Sequence, residues 1–157
     1  MWNFDDHHKA MLKLANEYYL AVKILEKVMK GNKAFEAKLV FPATNLASLT
    51  CELYLKALAY QYSNAQIPEG GHDLVVLFSK IDPKYYQWCE NEFNEESKNE
   101  FYFVDEINKY RRYYPDWRYL YERGWTEPEF SHGVRPWSLF YICELLNKLA
   151  NGKVTVW

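Results

Sequence analysis

Long apolar runs are missing from this sequence, and none approaches the roughly 20 residues a membrane-spanning helix needs. Missing too are the short motifs of common catalytic chemistry. There is no Gly-x-Ser-x-Gly elbow for a serine nucleophile, no phosphate-cradling P-loop and no dinucleotide fingerprint. Cysteine is scarce. The three residues, Cys51, Cys89 and Cys143, are odd in number and widely separated, which argues against a disulfide framework and predicts reduced, buried thiols. An excess of one charge is also absent. A net charge of −2 argues against broad, nonspecific nucleic-acid binding, which depends on a large positive field, and leaves room for a local basic groove. The opening stretch MWNFDDHHKAM has neither the basic nor the apolar region of a secretory signal, so a cytoplasmic location is expected.

Aromatic residues are what the chain has in excess: 14 Tyr, 9 Phe and 6 Trp, or 18% of the sequence. That is more than a helical core of this size needs, so some rings are expected on a surface or in a groove. A chain of 157 residues fits one domain, 1–157, with a core that needs neither disulfides nor metals.

The periodicity is helical outside residues 109–135. A first helix starting at Asp5 or Asp6 carries Met11, Leu14, Ala15, Tyr18, Val22, Leu25 and Met29 on one stripe and stops at Gly31-Asn32. A second starts after Pro42 and runs to about Tyr62, with residues 34–41 as a turn or connection. Its apolar seam is Leu46, Leu49, Leu53 and Ala57. Asp73 caps a short third helix, and Asp82-Pro83 reads as an N-cap with proline in the first turn of a fourth. The fourth helix carries Tyr86, Cys89, Phe93, Phe101, Val104 and Ile107, and the acidic stretch at Asn94–Ser97 is where it would break. Residues 109–135 are irregular. A last helix follows Pro136 with Trp137, Phe140, Tyr141, Leu145 and Leu149 toward the core, and Asn151-Gly152 ends it. The tail from Lys153 to Trp157 has β-like residues and no obvious partner strand.

Four groups of residues invite a chemical reading. Glu52 and Lys56 lie four apart on one helix face, either as an ordinary surface pair, which spacing alone favours, or as part of a polar cleft. His72 and Asp73 open a helix, with Asp73 accepting its free amides and His72 lacking any partner that the sequence places beside it. Asp5, Asp6, His7 and His8 are consecutive, so their side chains fan out around a helix and no metal site is expected. The stretch Lys109–Trp125 interleaves five cations (Lys109, Arg111, Arg112, Arg118 and Arg123) with seven aromatics and only two acids. Arg111, Arg112, Trp117, Arg118 and Tyr119 make it a candidate site for single-stranded nucleic acid or nucleotide. The alternative reading is an aromatic-rich packing segment or protein interface whose arginines stack on rings.

The run Pro42 to Asp82 resembles the HEPN family, small helical domains common in prokaryotic defence and toxin–antitoxin systems. The matching residues are Leu46, Ala47, Glu52, Leu53, Leu55, Lys56 and Ala57, then Gly71, His72, Asp73, Leu74 and Leu77. The resemblance implies an all-α antiparallel bundle of four to five helices that forms a homodimer. It also implies an RNase site at the dimer interface, built on Arg, four to six residues, then His, and working without a metal or other cofactor. No arginine of this chain has a histidine at that spacing; the nearest pair, Arg123 and His132, has eight residues between them. The expectation is therefore a non-catalytic binding or regulatory module for RNA, a nucleotide or a cognate partner protein, with polar-cleft residues Glu52, Lys56, His72 and Asp73. Two other functions stay open. One is a divergent metal-independent endoribonuclease using Arg118 or Arg123 with His132. The other is a structural subunit docking through its aromatic surface.

Overall fold

The computed structural model describes residues 4–63, 71–113 and 136–157, with side chains from His7 to Tyr62 in the first of these spans. Every regular element among them is a helix. The order is α1 (Phe4–Gly31), α2 (Lys33–Ser63), α3 (Leu74–Phe78), α4 (Pro83–Glu96), α5 (Phe103–Tyr110) and α6 (Pro136–Ala150). The tail after α6 forms no strand. None of these helices is long and apolar enough to cross a membrane. Among the described residues the all-helical class is as expected, and the six helices there exceed the expected four to five.

α1 and α2 form a hairpin turned on one residue. The Asn32 side chain accepts the Ala34 amide at 2.9 Å and so caps α2. This cap starts α2 nine positions before Pro42, which correspondingly lies inside the helix and not at its start. α2 is the central element, packed against α1, α3 and α6. Its innermost line is Ala43, Ala47, Cys51, Tyr54 and Leu58, all buried, while the expected seam residues Leu46, Leu49 and Leu53 are only half-buried on its flank. A helix covered on several sides has no single apolar stripe, so periodicity misplaces its centre.

The same holds for α6. Leu139, Ile142, Cys143 and Leu146 are fully buried, whereas Trp137 and Tyr141, expected toward the core, are half-buried. α6 ends in a Schellman turn: Gly152 takes φ +62°, its amide reaches the Leu149 carbonyl at 3.1 Å, and the Lys153 amide reaches Lys148 at 2.8 Å. On α1 the buried residues are Ala15, Val22 and Met29, and Leu14 turns outward.

The acidic stretch at Asn94–Ser97 is the joint between α4 and α5. Lys98 and Asn99 take φ values of 52° and 59° there. The Asn94 side chain accepts the first amide of α5, from Phe103, at 2.9 Å, a cap supplied from the preceding helix. Across this joint Phe78, Tyr86 and Phe103 meet edge to face, with Phe78 and Phe103 centroids 5.2 Å apart, and Phe93 packs on Phe103 at a tilt of 57°. Part of the aromatic excess is thus internal packing.

The three cysteines are free and buried. The Cys143 thiol donates to the Ala47 carbonyl at 3.2 Å and lies 3.4 Å from the Cys51 sulfur. Burial, reinforced by Cys51, pushes the Cys143 thiol well above its ordinary range, so it stays protonated. A polar network closes the same end of the bundle. Tyr54 donates to Asn16 at 2.7 Å, and Asn147 donates to the Tyr54 hydroxyl at 2.6 Å. Asn16 and Asn151 exchange amide bonds at 3.0 and 2.9 Å, and Lys153 reaches Asn147 at 2.8 Å. Burial raises Tyr54 to about 12, so its hydroxyl remains a donor.

Candidate functional site

The residues singled out in the Pro42–Asp82 run converge. α2 carries Glu52 and Lys56 one turn apart, and the segment before α3 brings His72 onto the same carboxylate. Glu52 Oε1 accepts from Lys56 Nζ at 2.5 Å and from His72 Nδ1 at 2.8 Å. The Glu52 side chain is only 4% exposed. The expected surface pair is therefore a buried polar cluster, because α3 and its preceding loop cover the face of α2 that carries Glu52. Spacing within α2 could not show this, since the cover comes from 20 residues away.

One residue on, Asp73 does two things. Its Oδ1 caps α3 by accepting the Val75 and Val76 amides at 3.0 and 3.3 Å. Its Oδ2 accepts both Nε and Nη2 of Arg111, at 2.9 and 2.7 Å. The Leu74 amide also reaches the Arg111 carbonyl at 2.8 Å, so the start of α3 and the end of α5 are tied by main chain and side chain alike. Burial pushes the Asp73 carboxyl up. The Arg111 guanidinium and the two amides outweigh that and hold it below its ordinary value.

The electrostatic result is a rim of three cation-capable side chains from three segments. Lys56 is 19% exposed, His72 37% and Arg111 46%, and Arg112 beside them is exposed. A histidine ring has two nitrogens, and with Nδ1 turned to Glu52 the contact to the carboxylate leaves Nε2 as the second polar atom of His72. Lys56 and Arg111 favour negative charge at the rim. Glu52 Oε2 is buried without a hydrogen-bond partner.

The remaining candidates divide. Arg111 and Arg112 lie at the end of α5, and Arg111 is joined to the polar cluster, which the sequence did not indicate. Trp117, Arg118, Tyr119, Arg123 and His132 lie outside the described residues. Among the described residues no group of three or more His, Cys, Asp or Glu side chains could hold a metal ion. A concavity of about 570 Å³ between α1 and α6 is lined by Glu26, Lys30, Trp137, Tyr141, Glu144 and Lys148. Its lysines are already bonded, Lys30 to Glu26 at 2.7 Å and Lys148 to Glu144 at 2.9 Å. The chain matches no family model, no curated protein and no solved structure.

Two sets of residues escaped sequence reasoning. The Asn16–Tyr54–Asn147–Asn151 network gave one faint signal, an asparagine set among leucines in CELLNKLA, where a buried polar group needs a partner. Asn94 gave none, because its role depends on the turn that follows it.

Proposed function

We propose that this chain is a HEPN-like binding or regulatory module, cytoplasmic and homodimeric, working in a prokaryotic defence or toxin–antitoxin setting. It binds a phosphate-bearing partner, RNA or a nucleotide, and does not cleave it. The observation that supports this reading is the pair of neighbouring carboxylate anchors: buried Glu52 holds Lys56 and His72, and Asp73, next in the chain to His72, holds Arg111. Lys56 and Arg111, each braced by a carboxylate, suit a phosphate group, whereas the absent Arg-x(4–6)-His spacing removes the family's cleavage pair. The sequence beyond Tyr113 adds rings and further arginines in the same stretch.

The test is fluorescence anisotropy with a short single-stranded RNA. Affinity should fall steeply between about 50 and 200 mM salt, because cations that meet phosphate release counterions. Arg111→Ala should weaken binding and reduce the log–log salt slope by about one, with an unchanged circular dichroism spectrum. Absence of binding at low salt would exclude an RNA partner. Cleavage of the RNA in the presence of EDTA would reverse the non-catalytic assignment.

A further inference from the structure

α1 spans 28 residues, about 42 Å at a helical rise. One face carries Ala15, Val22 and Met29 into the core. The opposite face is not wholly polar. Leu20 is 63% exposed, Ile24 57% and Val28 40%, and they follow one another at four-residue intervals on a single ridge. Lys13, Glu17, Lys27 and Gly31 complete this face. The series Lys13, Glu17, Leu20, Ile24, Lys27, Gly31 steps by four and three, the spacing with which one helix presents knobs to another. Three aliphatic side chains aligned in water along one helix mark a contact surface rather than scattered exposure.

We propose that this face of α1 packs against the same face of a second copy, with the two helices antiparallel and the two-fold axis level with Val22. That register sets Leu20 against Ile24 of the partner subunit and Glu17 against Lys27 of the partner subunit. The charges decide the direction. A parallel pair would oppose Glu17 with Glu17 and Lys27 with Lys27, whereas the antiparallel pair joins opposite signs on both sides of the axis. The intrachain alternatives are weak: Glu17 has only Lys13, at 4.0 Å with both side chains well exposed, and Lys27 has no ion pair among the described residues. At the ends of the seam Gly31 leaves open space, with no atom within 4 Å of where a Cβ would stand, so the stem of Lys13 has room to lie over it.

This inference rests on the homodimer reading and assigns it a surface. The closing experiment is light scattering after size exclusion on the full chain and on variants, with circular dichroism as the folding control. The wild-type chain should run at twice its mass, and Ile24→Glu should run as a folded monomer. Glu17→Lys should weaken the dimer about fivefold or more, and the double exchange Glu17→Lys with Lys27→Glu should restore it. A dimer that survives Ile24→Glu overturns the α1 surface and leaves the homodimer reading standing. A wild-type chain that stays monomeric at high micromolar concentration overturns both. Dimer affinity unchanged by Glu17→Lys overturns the antiparallel register.

Discussion

The carboxyl group of Glu52 sits where water does not reach it, and both of its partners use the same oxygen. Removing it leaves Lys56 and His72 without an acceptor, although both are exposed enough to find water. Glu52→Ala is therefore expected to cost about 2–3 kcal/mol, above an exposed pair and below a fully buried one. Glu52→Gln keeps the volume and one acceptor and should cost about 1 kcal/mol. Urea unfolding measures both, and a loss near zero for the alanine variant would return the pair to the surface. The spacing of Glu52 and Lys56 was legible in the sequence, as was the start of α3 at Asp73. The burial of Glu52, the bond from His72 and the link from Arg111 were not, because each depends on a segment 20 or more positions away.

Within the elements, caps were easier to read than interiors. Asp73, Asp82 and Pro83 stand where their chemistry places them, and α4 ends within the polar stretch, at Glu96. Pro42 misled because a proline that could open a helix also tolerates an exposed interior position if the helix accepts one lost hydrogen bond. α2 accepts it between two packed halves. Replacing that residue should therefore relieve a defect. Pro42→Ala should raise stability by about 1–2 kcal/mol, less than the full propensity difference because the unfolded chain also gains freedom. A higher thermal midpoint supports this, and a lower one would mean that the turns before Pro42 contribute little.

For the whole molecule, fold class was legible because helical periodicity recurs on both sides of the irregular stretch 109–135. The central place of α2 and α6 was not, because helices buried on many sides lose the stripe that betrays orientation. Stability of the assembled chain should depend on acid. Burial raises Asp73 and Glu26. Bonds from Arg111 and the α3 amides to Asp73, and from Lys23 and Lys30 to Glu26, outweigh it and hold both below their ordinary values of 3.8 and 4.5. A carboxyl depressed in the folded state stabilises it fully above the ordinary value, and that contribution disappears as pH falls through the folded one. Unfolding free energy should thus drop below about pH 4.5, and Asp73→Asn should flatten the lower part of that drop. An unchanged acid limb in this variant would show that Asp73 contributes nothing to it.

Greasy helices slide. Leu, Ile and Ala on facing helices fit nearly as well after a shift of one turn, and burial alone barely distinguishes the alternatives. The network of Asn16, Tyr54, Asn147 and Asn151 does distinguish them. Moving α6 one turn, about 5.4 Å, along α2 would part Asn147 from Tyr54 and strand buried groups at about 1–3 kcal/mol each. These four side chains work as a vernier: they add little to how firmly the helices adhere and much to which of several alignments is kept.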